Sequence, residues 1–265
     1  MGQYKICGYD LEDIQKVMLT MMEDIDRVCN ENGIRYVLDS GTMLGAIRHK
    51  GFIPWDDDLD VIMPRDDYEK FIEIANDKLK KEYKIECTEN TREYPFDFGK
   101  VRAVNTIYRE PDTAKLNINH GIYIDVFPMD YVDLSNIKKL ERIRRKVSIY
   151  KMLRVMKLGV APLGIKHKVF MLLPLKFINS RIKKCMKYYF KTKGTKLQKL
   201  CHYGPNKPPI DISIFNETLR VPFEDKIFTI PKDYDSFLKG RYGDYMTLPP
   251  EEQRQASHYI KEIKL

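Results

Sequence analysis

The stretch Leu38–Met63 decides the fold that we expect, and it reads LDSGTMLGAIRHKGFIPWDDDLDVIM. A short apolar strand at Tyr36–Leu38 precedes a small-residue turn and a short helix, and a loop then leads to a second strand at 58–63. Side chains alternate between the two faces of a strand, so Asp58 and Asp60 point the same way while Leu59 and Val61 point into the core. Like charges on one face repel unless a cation lies between them. Carboxylate oxygens at this spacing suit Mg²⁺ or Mn²⁺.

The turn before the helix gives the two carboxylates a context. An Asp-x-Asp strand by itself is also typical of a solvated sheet edge. Here the pair Ser40-Gly41 opens a helix, where backbone N–H groups and a hydroxyl can bind an anion. The sequence therefore predicts a phosphate site beside a metal site.

A third acid lies further along the chain, inside the apolar segment Gly121–Phe127, which reads GIYIDVF. A buried carboxylate is costly unless it is paired, hydrogen-bonded or bound to a metal. We therefore expect Asp125 to be the third metal ligand. In an alternative interpretation Asp125 only ends the strand before Pro128. Asp130 is a competing ligand, which we expect to lie in the loop after that proline.

Several basic residues could bind the phosphates of a substrate. Arg48, His49 and Lys50 lie in one loop between the turn and the acids, and they could equally form an exposed basic loop. We expect Arg48 to bind a donor, since a guanidinium can contact two phosphate oxygens at once. Lys100 and Arg102 alternate on a strand that follows Phe98, so both face one side and are second candidates.

The segment 41–71, GTMLGAIRHKGFIPWDDDLDVIMPRDDYEKF, resembles the LicD family of phosphocholine and related phosphoalditol transferases, within the nucleotidyltransferase superfamily. Weaker matches occur at Phe98–Asn105, Ile122–Asp130 and Tyr242–Pro250. The resemblance implies transfer of a phosphorylated small alcohol, phosphocholine above all, from a CDP-linked donor to a sugar hydroxyl of a cell-surface glycan or its lipid-linked precursor, with release of CMP.

The resemblance also assigns roles to residues. It implies that Asp58, Asp60 and Asp125 hold two Mg²⁺ or Mn²⁺ ions, and Asp125 stands where relatives carry the third acid. The diphosphate of the donor would be bound by Ser40, Gly41 and Thr42.

The loop before the acids could contact the head group of the donor. Trp55 is the only tryptophan, and an aromatic face attracts a quaternary ammonium such as choline. The alternative is that Trp55 packs the loop under the metal site. We expect Asp56 to be a ligand of the head group and Asp57 to be structural.

Composition places the chain among globular proteins. It has 265 residues, 43% hydrophobic and 32% charged, and no apolar run long enough to span a membrane. The five cysteines are scattered without a Cys-x-x-Cys pair, which is typical of reduced thiols. These features and the absence of a signal sequence predict a cytoplasmic protein, peripheral on the inner face of the membrane.

The positive charge is concentrated in one segment. Residues 138–199 hold 20 Lys or Arg against the single acid Glu141, whereas the rest of the chain holds 26 basic and 37 acidic residues. The apolar centre of this segment, Val169–Leu175, is too short to cross a bilayer. Such a run is often only a solvated face, but basic and apolar residues together predict contact with an anionic membrane surface.

We therefore expect an α+β fold with three parts. Residues 1–133 form a nucleotidyltransferase-like core whose mixed sheet is flanked by helices, 134–204 a basic helical insert that contacts membrane or acceptor, and 205–265 a C-terminal segment that packs back on the core.

Two other functions stay open from the residues alone. One is an NTP-dependent nucleotidyltransferase that releases pyrophosphate, and the other is a non-catalytic basic module that binds membranes. Nucleic acid is not an expected partner, because the basic segment lacks Arg-Gly repeats, zinc-ligand spacing and aromatic ribonucleoprotein motifs.

Overall fold

The computed structural model describes residues 4–132, 134–162, 172–190, 196–199 and 209–265. The helices of this part of the chain are α1 Leu11–Glu31, α2 Ser40–Arg48, α3 Arg65–Lys78, α4 Ile137–Lys157, α5 Leu175–Phe190 and α6 Tyr234–Tyr242. The strands are β1 Lys5–Ile6, β2 Tyr9–Asp10, β3 Val37–Leu38, β4 Asp60–Pro64, β5 Tyr83–Glu86, β6 Gly99–Ala103, β7 Ile107–Arg109, β8 Tyr123–Tyr131, β9 Lys196–Gln198, β10 Ile210–Asp211, β11 Thr218–Phe223, β12 Lys226–Pro231 and β13 Glu262–Lys264.

Helix α1 forms where apolar residues recur every three or four positions. Its inward face is fully buried and includes Ile14, Met18, Met21 and Ile25. One such face is the pattern of a helix that packs on a core. The helix ends just before Gly33, whose φ of +60° is readily adopted only without a side chain. The spacing of apolar residues between Leu11 and Val28 predicts this helix from the sequence alone, and the structure confirms it.

A seven-stranded sheet lies at the centre of the fold, with β10, β9, β8, β4 and β3 side by side. Strand β6 pairs with β8 and with β5. The pairing of β4 with β8 is parallel, and the other pairings in this sheet are antiparallel. A mixed sheet with helices confirms the α+β class.

Two strands differ from the expectation. Strand β4 begins at Asp60 and not at Asp58, because regular pairing to β8 starts only there. Strand β8 runs through Pro128 to Tyr131, so Asp130 lies in the strand and not in a loop. Proline lacks an N–H donor but still fits a strand where no ladder bond needs that donor.

Helices α4 and α5 carry much of the positive charge and pack against each other. Apolar side chains, among them Val147 and Ile178, form their contact. Two basic residues of α4 point inward instead of outward. The Lys151 ammonium lies 3.0 Å from Asp97 and the Arg154 guanidinium 2.7 Å from it, and all three side chains are buried. These ion pairs fasten α4 to the loop before β6.

No helix within the described ranges is long and apolar enough to cross a membrane. Of the apolar centre of the basic segment, residues 169–171 lie outside the described part of the chain. Leu172 is 85% exposed, whereas Leu173 packs between the helices.

Candidate active site

The parallel pairing of β4 with β8 builds the site. In this register Asp60 stands directly opposite Asp125. The backbone N–H of Asp125 donates to the carbonyl of Leu59 at 3.0 Å, which aligns the two strands at that point. Asp58 lies in the loop that leads into β4 and acts electrostatically on Asp60. The structure therefore brings the three acids expected from the sequence to one end of the β4–β8 pair, and their role as metal ligands stays a prediction.

The acids of this cluster resist ionisation. Burial and then the charges of Asp57 and Asp60 raise the pKa of Asp56 to about 7. Burial and then Asp56 raise the pKa of Asp58 to about 8. The pKa of Asp60 is raised well above its usual value, first by burial and then by Asp58, while the Lys199 ammonium opposes the shift. Acids that repel in this way are stabilised in their charged form by a cation.

The donor set fits a divalent metal ion. In the described part of the chain, no three carboxylate, imidazole or thiol groups are arranged so that together they could hold a metal ion. However, one oxygen of Asp125 is buried and accepts no well-directed hydrogen bond, although the Lys100 ammonium lies 2.8 Å from it. Carboxylate oxygens from Asp58, Asp60 and Asp125 are the hard ligands that Mg²⁺ and Mn²⁺ prefer. The chemistry of these residues therefore fits such an ion, and its binding stays a prediction.

Asp130, the competing third ligand, has another partner. It is fully buried, and its two oxygens accept hydrogen bonds from the Arg65 guanidinium at 2.8 and 3.0 Å. A carboxylate held in this bidentate way is already compensated. Asp125 pairs with the Lys100 ammonium through one oxygen and stands opposite Asp60, so it is the better candidate for a metal.

Asp57 has the surroundings of a structural residue. It is fully buried and accepts hydrogen bonds from the Tyr108 hydroxyl at 3.1 Å, the Ser257 hydroxyl at 2.9 Å and the Ser257 N–H at 3.0 Å. Its Oδ1 also lies 3.2 Å from His258 Nδ1. Burial opposes the charge on His258, yet Asp57 raises the pKa of that imidazole to about 9. No pattern in the sequence indicated that Ser257 and His258 would contact the acidic loop.

The start of α2 lies against the acids. The Thr42 hydroxyl accepts a hydrogen bond from the Asp60 N–H at 2.9 Å, so it holds the first residue of β4. Gly41 faces Asp56, and a Cβ built at Gly41 would lie 2.7 Å from Asp56 Oδ2. Ser40 has a φ of +47°, and its hydroxyl contacts the Arg241 guanidinium. The turn and the acids therefore form one site, and binding of a donor by Ser40, Gly41 and Thr42 stays a prediction.

The other expected donor-binding residues have protein partners in this structure. The Arg48 guanidinium donates to the carbonyls of Tyr245 at 2.8 Å and Thr247 at 3.4 Å, so here it holds the C-terminal segment. Lys100 and Arg102 both lie over the Tyr123 ring, as expected of residues on one strand face. Lys100 is close to the acids.

Arg102 and Trp55 lie in structural surroundings. Arg102 is 1% exposed and donates to the carbonyl of Gly121 at 3.0 Å. Trp55 is half-buried between Tyr4 and His49, and the Arg254 guanidinium lies 5.6 Å from the centre of its ring. This arrangement agrees with the alternative that Trp55 packs the loop. Binding of the donor by Arg48, Lys100, Arg102, Asp56 and Trp55 stays a prediction.

Sequence reasoning missed one group at the site entirely. Asp39, directly before α2, is 1% exposed and contacts the side chains of both Lys199 and Arg241. These residues are 160 and 202 positions apart from Asp39 in sequence. The only available signal was that Arg241 directly precedes Tyr242–Pro250, one of the weaker matches to the family.

Comparison with known proteins identifies the family of the chain. The family model described as "LicD/FKTN/FKRP, nucleotidyltransferase domain" matches residues 33–148. The chain is 32% identical over 262 residues to the lipopolysaccharide cholinephosphotransferase LicD of Haemophilus influenzae, a match that covers 95% of this chain and 97% of that protein. Shorter matches are an uncharacterized protein of Rickettsia typhi, 40% identical over 65 residues (24% of this chain, 21% of that protein), and one of Rickettsia prowazekii, 47% identical over 47 residues (18% of each).

A substitution at Gly41 should affect the site more than the fold. In Gly41→Ala the new methyl group would displace the Asp56 carboxylate from the acid cluster. We expect the affinity for CDP in the presence of Mn²⁺ to fall by about tenfold or more, equivalent to about 1.4 kcal/mol, with little change in the unfolding temperature. Calorimetry and thermal unfolding measure the two effects.

Gly240→Ala is the matched control, because a Cβ at Gly240 in α6 meets open space. It should leave the affinity for CDP unchanged. Equal affinity in wild type and Gly41→Ala would remove this turn from the donor site.

Proposed function

This chain belongs to the LicD/FKTN/FKRP family, and on that premise we propose that it transfers a phosphorylated small alcohol from a CDP-linked donor to a sugar hydroxyl, with release of CMP. The chain is thus an enzyme, a LicD-type transferase. Phosphocholine is the group that we expect it to transfer, because the relative that matches almost the whole chain is named a lipopolysaccharide cholinephosphotransferase. The acceptor would be a cell-surface glycan or its lipid-linked precursor.

One observation carries the proposal: Asp60 and Asp125 stand opposite each other on β4 and β8, with Asp58 close enough to raise the pKa of Asp60. Burial and mutual repulsion disfavour the charged form of these carboxylates, and a bound divalent cation would compensate both effects. Asp58, Asp60 and Asp125 would hold one or two Mg²⁺ or Mn²⁺ ions. Such ions, when bound, lower the pKa of an attacking hydroxyl and neutralise charge on a leaving group.

The residues of the chain would act as follows. The hydroxyl oxygen of the acceptor attacks the phosphorus atom that carries the alcohol, the bond from that phosphorus to the oxygen of CMP breaks, and CMP leaves with the bonding electrons. We assign the proton of the acceptor to Asp125, whose side chain is 14% exposed and stands opposite Asp60. The Thr42 hydroxyl holds Asp60 by accepting a hydrogen bond from its backbone N–H. The Lys100 ammonium holds the Asp125 carboxylate.

Removing the charge of any one proposed ligand should abolish turnover. We expect Asp58→Asn, Asp60→Asn and Asp125→Asn each to lower the rate by ~10³-fold or more, since about 4 kcal/mol of transition-state stabilisation accompanies such a group. The assay supplies Mn²⁺, a lipopolysaccharide oligosaccharide as acceptor, and in turn CDP-choline, CDP-ribitol, CDP-glycerol and the four NTPs. It measures CMP and pyrophosphate.

The control is Asp66→Asn, because Asp66 is an exposed acid on α3 that should not affect the rate. Release of CMP from a CDP-alcohol supports the proposal. Release of pyrophosphate from an NTP would show that the enzyme is a nucleotidyltransferase instead. A near-normal rate in Asp125→Asn would remove this residue from the metal site.

A lipid-linked acceptor would lie at a membrane surface, so the enzyme would have to bind there. We propose that the outer face of α4 and α5 binds an anionic membrane surface, where a lipid-linked glycan would be presented. Among the side chains that the structure describes in these helices, eight basic ones are exposed: Lys138, Lys139, Arg142, Arg145, Lys146, Lys176, Lys183 and Lys184. Exposed apolar side chains lie among them, namely Ile137, Ile149 and Phe177, with Leu172 just before α5. Basic and apolar residues together are typical of helices that lie on membranes.

Charge reversal on this face should release the protein from vesicles. We expect a triple variant that changes Lys138, Lys139 and Arg142 to Glu to bind the vesicles on the order of 100-fold more weakly or worse. Each basic residue contributes about 1 kcal/mol near an anionic surface. Sedimentation with vesicles of equal parts phosphatidylglycerol and phosphatidylcholine at low salt measures this.

The matched control changes Lys80, Lys81 and Lys84 to Glu, because these three lysines are exposed on the core. It should bind almost as wild type does. Wild-type protein that stays in the supernatant, or equal loss in both triple variants, would contradict membrane binding by this face.

A further inference from the structure

Two cationic side chains from distant parts of the chain converge on one buried carboxylate. Asp39 lies between β3 and α2 and is 1% exposed. Arg241, in the last turn of α6, places Nη1 at 2.6 Å from Asp39 Oδ1. Lys199, just after β9, contacts the other oxygen of Asp39. Three separate segments thus meet at the start of α2.

Asp39, Lys199 and Arg241 together carry more positive charge than the one carboxylate can neutralise. One cation is sufficient to compensate a buried Asp, and Asp39 has two. Burial favours the neutral acid, but Lys199 and Arg241 overcome it and hold the pKa of Asp39 below its usual value. Two cations on one carboxylate give these three residues a formal charge of +1. Surplus positive charge at a half-enclosed position attracts an anion.

The Arg241 guanidinium keeps hydrogen-bonding capacity. Its Nη1 makes both contacts, to Asp39 and to the Ser40 hydroxyl. Its Nη2 and Nε have no hydrogen-bond partner among the residues that the structure describes, and the Arg241 side chain is 13% exposed. A guanidinium presents its donors as a planar fork that matches two phosphate oxygens. The contact to Ser40 puts this fork at the turn next to Gly41.

The group is coupled to the acid cluster through the backbone. The Asp39 N–H donates to the carbonyl of Asp60 at 3.0 Å. Lys199 lies 3.6 Å from the centre of the Phe127 ring, which belongs to the strand that carries Asp125. It is also close enough to act on the charge of Asp60. The cations and the acids thus line adjoining parts of one site.

We propose that Arg241 and Lys199 bind the diphosphate of the donor, and that Asp39 is the positioning residue that holds both cations at the start of α2. The inference rests on the proposed function, since it takes the donor to carry a diphosphate. Arg241 would then bind the donor, which is the role that the sequence alone predicts for Arg48. In the structure Arg48 donates to the carbonyls of Tyr245 and Thr247 instead.

The test compares CDP with CMP as ligands, by calorimetry in the presence of Mg²⁺. In Arg241→Gln we expect the affinity for CDP to fall about 10- to 100-fold, the range for charge-assisted hydrogen bonds, and the affinity for CMP to fall far less. Arg241→Lys keeps the charge and loses the fork, so it should lie between wild type and Arg241→Gln. Lys199→Gln should reduce the preference for CDP independently, in case Arg241→Gln does not fold.

The matched control is Arg220→Gln. Arg220 also binds a carboxylate, that of Asp26 on α1, and it should affect stability without changing the ratio of the two affinities. Asp39→Asn should lower that ratio if Asp39 orients the cations, and an unchanged ratio would remove Asp39 from the proposal. If wild type binds CDP and both Arg241→Gln and Lys199→Gln bind it equally well, this inference alone is wrong. If wild type binds no CDP, the proposed donor is wrong as well.

Discussion

The parallel pairing of β4 with β8 is the constraint on which the rest of the site depends. It sets Asp60 opposite Asp125 and directs Asp58 toward the same end of the strands. Such a cluster is unfavourable on its own, because burial and mutual repulsion both disfavour the charged carboxylates. The surrounding chain holds it in place through the backbone, since Thr42 binds the N–H of Asp60 and Asp39 binds its carbonyl. The cost of this arrangement is the strongest indication that a cation belongs there.

The C-terminal segment is an integral part of the same site. Several of its residues contact residues 39–57: Arg241 contacts Asp39, the carbonyls of Tyr245 and Thr247 accept from Arg48, Arg254 lies over Trp55, and Ser257 and His258 contact Asp57. Beyond them, β13 pairs with β7. The C-terminal segment therefore contacts both ends of α2 and the loop that leads to β4. This explains in physical terms why a family-like motif stands so far from the acids.

Local pattern predicted part of this structure, and long-range pairing determined the rest. The apolar spacing of α1 and the single acid inside the apolar β8 could be recognised from the sequence, because such patterns show which face of a helix or strand is buried. Periodicity does not say what a charged residue pairs with. Arg65 with Asp130, and Lys151 and Arg154 with Asp97, are buried ion pairs that the sequence showed only as charges. The convergence of Lys199 and Arg241 on Asp39 was hidden for the same reason.

The central claim is that Asp58, Asp60 and Asp125 form a divalent-cation site, and the most direct test is titration of the protein with Mn²⁺ followed by electron paramagnetic resonance. The free Mn²⁺ signal should fall saturably with wild-type protein, with one or two ions bound per chain. Asp60→Asn should lose this binding while keeping the wild-type unfolding temperature or exceeding it, since the variant relieves repulsion. Wild-type protein that leaves the Mn²⁺ signal unchanged, with and without CDP, would contradict the account.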